Sequence, residues 1–209
     1  MARKLVRRLV SDDPPQALVD AAAQTWLAAR KAPDQIAQTL RTIILSAEFA
    51  QTWGAKQKRP LELFVSAARA LNAELKVSFD TTGHLDWMGQ LPHGWPAPNG
   101  YPDVGAAWRS STVMLRAWQT LSAVAKSDDE RWKSSAMEQS GNRKRPTELT
   151  DFWLLRLFGY KPLAVRAVML DILREGGDAN AEISDADALE HRLKEAVGFA
   201  LMSPEFFRT

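Results

Sequence analysis

Residues 91–103 read LPHGWPAPNGYPD, and they interrupt a chain whose other long segments have helical spacing. Four prolines and two glycines fall within this segment, so neither a helix nor a central strand can run through it. The segment therefore predicts one long, proline-stiffened loop between helices. Such a loop either fills a gap between helices or lines a binding site.

Amphipathic segments on both sides of the loop predict helices, because their apolar side chains recur three and four residues apart. The first three segments are residues 2–10, a helix that is capped by residues 11–15 and runs to about residue 31, and a helix that opens at residues 33–34 and ends in residues 46–49. The others are 61–74, 85–90, 148–158, 163–174 and 185–202, together with about twenty residues after Asp103. Asp103 is placed to cap the helix that follows it, and residues 76–79 alone have strand character. We predict an all-α, single-domain helical bundle of about seven to nine helices over residues 1–209, with one long ordered Pro/Trp-rich loop.

Two further features concern the organisation of the chain. Residues 127–146 are its most polar segment and predict a mobile linker within the domain. The pentapeptides LSAEF at 45–49 and MSPEF at 202–206 each close an amphipathic helix. A shared Ser-x-Glu-Phe at two helix ends predicts a helix that stops, turns and tucks an aromatic ring under its own end.

Composition excludes several classes of protein. The 27 basic and 25 acidic residues leave a net charge of only +2, so we predict no nucleic-acid binding. The absence of cysteine excludes disulfides, thiolate metal sites and cysteine nucleophiles. No apolar stretch reaches the length of a membrane span, and no secretory signal precedes the first helix. As written, the chain is predicted to be soluble and cytoplasmic.

Aromatic and amide side chains in and beside the loop form the candidate ligand site. Rings of this kind bury a large apolar area and keep a polar edge, so they suit a sugar or another flat-faced ligand. The alternative is that the same rings plug the gap between helices. The candidate ligand-binding residues are Trp87, Trp95, Asn99, Tyr101 and Trp108.

A second set of residues predicts hydrolysis of an ester, lactone or glycosidic bond. His93 and Asp103 are candidate acid/base groups, and Ser110 or Ser111 is the candidate nucleophile. No Gly-x-Ser-x-Gly elbow surrounds these serines, which favours a packing role for them. Histidines and aspartates near the loop match no familiar metal spacing. We therefore predict no metal and no cofactor, and whether the chain is an enzyme stays open.

Several motifs together resemble the C-terminal part of a bacterial family known as a domain of unknown function, number 1800. The Gly-Trp-Pro and Gly-Tyr-Pro-Asp run is the most specific of them, and residues 127–146 match least. The matching stretches are ARKLVRRLVSDDPP at 2–15, ILSAEF at 44–49, KQKRPLELFVSAARAL at 56–71, MGQLPHGWPAPNGYPD at 88–103, AAWRSSTVMLRAW at 106–118 and LMSPEFFRT at 201–209.

The resemblance implies a helical fold and little chemistry, because the family has no settled activity. Its members resemble one another over a domain about twice this length and often look exported. Three hypotheses follow. The first is a module that binds a small molecule or a protein partner through the GWPAPNGYPD loop, the second is the hydrolase, and the third is a structural fragment completed by an N-terminal half. The third predicts a homodimer through an apolar face exposed by truncation.

Overall fold

The computed structural model describes residues 1–76, 79–127, 132–133 and 136–208, with the backbone alone for residues 75, 79–81, 132 and 133. The regular secondary structure of the described residues is almost entirely helical. The α-helices are α1 (Ala2–Leu9), α2 (Gln16–Ala28), α3 (Gln35–Ile44), α4 (Ala47–Gln51), α5 (Pro60–Ala70), α6 (Phe79–Trp87), α7 (Ser111–Lys126), α8 (Ala136–Ser140), α9 (Pro146–Phe158), α10 (Leu163–Arg174) and α11 (Ala186–Met202). A 3-10 helix spans Gly105–Trp108, and the strands β1 (Glu74–Leu75) and β2 (Trp132–Lys133) pair antiparallel.

The predicted all-α class is confirmed. Nine of the α-helices in the described part of the chain have eight residues or more, and the other two have five. The strand predicted at residues 76–79 is wrong where it is described, because Phe79 begins α6 and the β-pair lies at Glu74–Leu75. Residues 77 and 78 lie outside the described residues. A two-residue strand depends on its partner more than on local sequence preference.

The chain divides into two compact units that are discontinuous in sequence. The first comprises residues 1–58, 102–107 and 208–209, and the second comprises residues 59–101 and 108–207. The extent of one domain over residues 1–209 stays a prediction, and each unit is described by itself.

The first unit joins α1, α2 and α3 around a small apolar core that includes Val6, Leu18 and Ile43. Its polar junction is centred on Lys56, which is only 8% exposed. The Lys56 Nζ donates to the Arg7 carbonyl at 2.8 Å and pairs with Asp12 Oδ1 at 2.5 Å. The other Asp12 oxygen accepts from the Gly105 backbone N–H at 2.7 Å. These bonds attach residues 102–107 to the first unit, although this segment is distant from α1 and α2 in sequence.

The second unit is built around α11, which packs against α7 and α10, while α9 packs against α10. Gly198 of α11 faces Ala125 of α7, and a Cβ at this position would lie 3.5 Å from the Ala125 Cβ, which is an ordinary van der Waals contact. Trp153 is completely buried in this core, and its indole N–H donates to the Ser140 hydroxyl at 2.9 Å. A buried indole normally has such a partner.

The two Ser-x-Glu-Phe segments have the same hydrogen bonding, as their shared sequence predicts. Ser46 donates its hydroxyl to the Ile43 carbonyl at 2.8 Å and accepts from the Phe49 N–H at 3.1 Å. Ser203 donates to the Ala200 carbonyl at 2.7 Å and accepts from the Phe206 N–H at 3.4 Å. In each segment one hydroxyl ends a helix and holds the chain that turns away from it.

The segment predicted to be a mobile linker contains described structure. Residues 132–133 form β2, and residues 136–140 form α8, in which Ala136 and Ser140 are buried. Residues 128–131 and 134–135 lie outside the described residues, and the linker stays a prediction.

Candidate functional site

The loop begins where α6 ends, and its entrance is anchored to α5. Gly89 has a φ of +85°, which turns the chain, and the Gln90 N–H donates to the Leu85 carbonyl at 2.8 Å. The Gln90 side chain is buried, and its Oε1 accepts from the Leu61 N–H at 2.9 Å. Leu61 lies in the first turn of α5, where a backbone N–H has no acceptor within its own helix. The Gln90 side-chain amide therefore gives this N–H a partner and holds the residue that directly precedes the loop.

The first turn of the loop depends on a glycine. His93 has a φ of +61°, and the Gly94 N–H donates to the Leu91 carbonyl at 2.9 Å. A Cβ at Gly94 would lie 3.0 Å from the Leu91 Cβ, 3.1 Å from the Leu91 carbonyl oxygen and 3.2 Å from the Tyr101 hydroxyl. The beginning and the end of the loop thus approach each other at a point where a Cβ would be crowded and the loop would have to shift by a few tenths of an ångström.

Three rings in and beyond the loop form a continuous stack. The Tyr101 ring centroid lies 5.0 Å from that of Trp95 and 5.9 Å from that of Trp108, with tilted planes in both pairs. The Tyr101 hydroxyl donates to the Leu91 carbonyl at 2.8 Å, so the middle ring is fixed at both its face and its polar end. Trp108 is only 6% exposed. The stack is therefore anchored at its buried end.

Trp95 is the solvent end of the stack, and 39% of the residue is exposed. Its indole N–H donates to the Asn99 Oδ1 at 3.1 Å. This hydrogen bond fixes the plane of the ring and leaves both N–H groups of the Asn99 amide available to a ligand. The result is a large apolar surface that is already immobilised before anything binds.

The structure brings Trp95, Asn99, Tyr101 and Trp108 together, whereas the described contacts of Trp87 are with Arg116. The Trp87 carbonyl accepts from the Arg116 Nη1 at 3.0 Å, and the Arg116 guanidinium carbon lies 4.5 Å from the centre of the Trp87 ring. Among the described residues, no ring contact joins Trp87 to the stack. Its assignment to the same ligand site stays a prediction.

The four residues predicted for hydrolysis do not form a described catalytic group. Ser110 caps α7, since its Oγ accepts from the Val113 N–H at 3.1 Å, and Ser111 is the exposed first residue of that helix. Asp103 belongs to the first unit, where its carboxylate lies 3.5 Å from the Arg8 guanidinium. His93 belongs to the second unit, is exposed, and makes no side-chain hydrogen bond or ion pair with the residues that the structure describes. Because Asp103 and His93 belong to different units, their joint role in hydrolysis stays a prediction.

Asp103 does not cap α7, contrary to prediction. The 3-10 helix at Gly105–Trp108 separates Asp103 from that helix, and Ser110 occupies the cap position instead. Both residue types suit an N-cap, so the sequence alone could not decide between them.

Sequence reasoning missed the residues that support the loop. Gln90 holds its geometry through a side-chain amide, and Leu91 and Gly94 hold it through backbone groups. Only the glycine carries a signal in the sequence. It also missed a depression of about 410 Å³ along α11, whose lining residues are Lys126, Asp187, Glu190, His191, Lys194 and Glu195. The α11 residues among them are three and four positions apart, so they lie on one face of the helix. This spacing was the signal in the sequence that could have indicated a shared polar surface.

Across the described ranges, no group of three or more His, Cys, Asp or Glu residues has the arrangement of a metal site. In the same part of the chain, none of the helices combines the length and the apolar character that crossing a membrane requires.

The geometry defines a helical protein with a rigid aromatic loop, and comparison with known proteins places it in a family. The chain belongs to the family described as Protein of unknown function (DUF1800), whose model matches residues 1–208. No curated protein and no solved structure matches the chain significantly. The resemblance deduced from the motifs is confirmed.

Proposed function

We propose that the chain is a binding module that holds a neutral, flat-faced ligand, such as a sugar ring, on the loop at residues 91–101. The observation that carries this proposal is that the Trp95 side chain is exposed and at the same time held in place. Its ring is 39% exposed, yet it is stacked on Tyr101 and hydrogen-bonded to Asn99. An exposed aromatic ring that is already fixed loses little conformational entropy on binding.

The charge pattern supports a neutral ligand. Residues 87–102 contain no Asp, Glu, Lys or Arg, in a chain where a quarter of the residues are charged. The loop's own side chains therefore offer an ionic ligand no Asp, Glu, Lys or Arg to pair with, while the ligand would lose hydration on binding. A pyranose ring suits it better, because its C–H groups can pack on the indole while its hydroxyls bond the Asn99 amide.

The arrangement supports binding more than catalysis. The rings and amide of the loop contact one another within one unit. Of the four residues of the hydrolase hypothesis, Ser110 caps α7 and Asp103 pairs with Arg8. The alternative of a structural fragment, with a homodimer through an exposed apolar face, stays a prediction.

The test is a titration of the isotope-labelled chain with neutral monosaccharides and soluble oligosaccharides, followed by the indole N–H signals in nuclear magnetic resonance spectra. The Trp95 signal, assigned from its loss in Trp95→Phe, is expected to shift on binding. Trp95→Ala should weaken binding at least about tenfold, which corresponds to about 1.4 kcal/mol. Trp118→Ala is the matched control, because Trp118 is similarly exposed but lies on α7.

An unchanged Trp95 signal at the highest soluble concentration of every sugar would overturn the carbohydrate proposal. A parallel assay with chromogenic esters and lactones tests the alternative. Turnover that is lost in His93→Ala and retained in Trp95→Ala would favour the hydrolase.

A further inference from the structure

Asn99 and Gly100 form the only Asn-Gly dipeptide of the chain, and they lie in the exposed part of the loop. The other three asparagines, Asn72, Asn142 and Asn180, precede alanine or arginine. Glycine has no Cβ, so its backbone nitrogen can approach the side-chain amide of the preceding residue more closely than any other residue allows. The pairing of these two residues on an exposed turn is the first observation.

The second observation is the hydrogen bond on the amide oxygen of Asn99. The Trp95 indole N–H donates to the Asn99 Oδ1 at 3.1 Å. A donor at this oxygen draws electrons from the carbonyl carbon and stabilises negative charge that develops on the oxygen during nucleophilic attack. The same hydrogen bond that positions the Trp95 ring therefore activates the Asn99 amide.

From these two observations, we propose that Asn99 is a site of spontaneous deamidation assisted by Trp95. The Gly100 nitrogen gives its proton to hydroxide and forms a bond to the Asn99 Cγ. The resulting tetrahedral intermediate breaks its Cγ–Nδ2 bond, and the nitrogen takes up a proton and leaves as ammonia. Water then opens the five-membered imide at one of its two carbonyl carbons, which gives aspartate or isoaspartate. The net reaction consumes one water and releases one ammonia, with no oxidation or reduction.

One contact opposes the reaction. The Gly100 N–H donates to the Ala97 carbonyl at 3.3 Å, and this long, exposed hydrogen bond must open before attack. The reaction should therefore be slower in the folded chain than in a short peptide of the same sequence, and faster than at the other asparagines.

The product changes the loop in two ways. Either isomer places a carboxylate among residues 87–102, which otherwise lack Asp, Glu, Lys and Arg. Isoaspartate also lengthens the backbone by one methylene group, directly before Gly100. Because Asn99 holds the Trp95 ring, the modification reaches the exposed surface of the aromatic stack. The reaction needs no ligand, so it proceeds whether or not the loop binds a sugar.

The experiment is incubation of the purified chain at physiological temperature over a range of pH, followed by peptide mapping by mass spectrometry. The peptide that contains Asn99 should gain the mass difference between an amide and a carboxyl group. The rate should rise with pH, because the attacking nitrogen must lose its proton. Asn180 is the internal control, since it is exposed and its Oδ1 accepts from the Thr147 hydroxyl at 3.1 Å, but alanine follows it.

Two outcomes would overturn the proposal. If Asn99 is converted no faster than Asn180, the loop is not a deamidation site. The role of Trp95 is tested with Trp95→Phe, which keeps a ring and removes the donor, and a several-fold slower conversion of Asn99 is expected. An equal or faster rate in a variant of unchanged unfolding free energy would show that the hydrogen bond does not assist the reaction.

Discussion

Individual residues in the loop act mainly through backbone geometry. The Leu91 carbonyl accepts from both the Gly94 N–H and the Tyr101 hydroxyl, so one oxygen joins the beginning of the loop to its end. The stack of Trp95 on Tyr101 depends on this junction. A residue with no functional group of its own therefore decides where the exposed ring lies.

We expect Gly94→Ala to disturb this junction. The added Cβ would lie 3.1 Å from the Leu91 carbonyl oxygen, which is backbone, so the loop itself must shift. The expected loss of unfolding free energy is about 1–2 kcal/mol, from crowding and a weakened hydrogen bond. The measurement is urea unfolding together with the Trp95 indole signal, which should move.

Gly83→Ala is the matched control for this change. Gly83 lies in α6, and among the described residues, its own helix backbone aside, a Cβ there would have no neighbour within 4 Å. Replacement of a helical glycine by alanine should raise stability by about 0.5–1 kcal/mol. Equal behaviour of the two variants would contradict the steric role of Gly94.

At the scale of elements, α7 begins at a serine that the sequence also suggested as a nucleophile. The Ser110 hydroxyl accepts from the Val113 N–H, which otherwise lacks a partner within the helix. This contact gives the residue a structural role. Its neighbour Ser111 is exposed and is the first residue of the helix.

Ser110→Ala should therefore reduce the unfolding free energy by about 1 kcal/mol, the usual contribution of an N-cap side chain. Ser111→Ala should change it little, since this hydroxyl does not cap the helix. The measurement is the free energy of unfolding of the two variants, whose substitutions lie at neighbouring positions, by chemical denaturation. A larger loss in Ser111→Ala would argue against the assigned cap.

The pairing of short elements shows where local sequence is a poor guide. Residues 76–79 contain β-favouring side chains, yet Phe79 begins α6. The strand that does form is Glu74–Leu75, and its partner is Trp132–Lys133. A partner so distant along the chain leaves no local trace in either segment, because it is brought there by the packing of the helices between them.

At the scale of the whole molecule, stability depends on pH through groups that join helices. Asp151 on α9 accepts from the Lys161 Nζ at 2.6 Å and from the Arg166 Nε at 2.9 Å, which connects α9 to α10. Burial raises the pKa of Asp151, but the hydrogen bonds and charges of Lys161 and Arg166 together lower the pKa further than burial raises it. The net effect is a pKa below the ordinary value.

A lowered pKa means that the folded state binds the proton less readily than the unfolded state does. The contribution of Asp151 is therefore complete above the unfolded-state pKa of about 4, and it disappears as the pH falls through the folded-state pKa. Asp151→Asn should lower the free energy of unfolding by on the order of 1 kcal/mol near pH 7, since Asp151 and its two partners are partly exposed. The loss should become progressively smaller towards about pH 2.

Urea unfolding of both proteins over this pH range measures the difference. Asp171→Asn is the control, because Asp171 pairs with Arg174 on the same helix and joins no second element, with 69% of its side chain exposed. A difference between wild type and Asp151→Asn that grows in acid would contradict a lowered pKa for Asp151 in the folded state.

The sequence by itself determined the helical class, the family and the stiffness of the loop. Apolar spacing identifies helices because one face of each must be buried, and prolines at residues 91–103 exclude regular structure whatever surrounds them. The Ser-x-Glu-Phe turns at residues 46 and 203 were equally accessible, because their hydrogen bonds join residues only three apart.

Only the tertiary structure decided which aromatic rings act together and which residue caps α7. Trp87 and Trp108 have the same chemistry and both lie near the loop in sequence, but one packs under Arg116 and the other under Tyr101. Likewise, a 3-10 turn separates Asp103 from α7 and leaves the cap to Ser110. These choices depend on contacts between segments that are not neighbours along the chain, and local spacing does not specify such contacts.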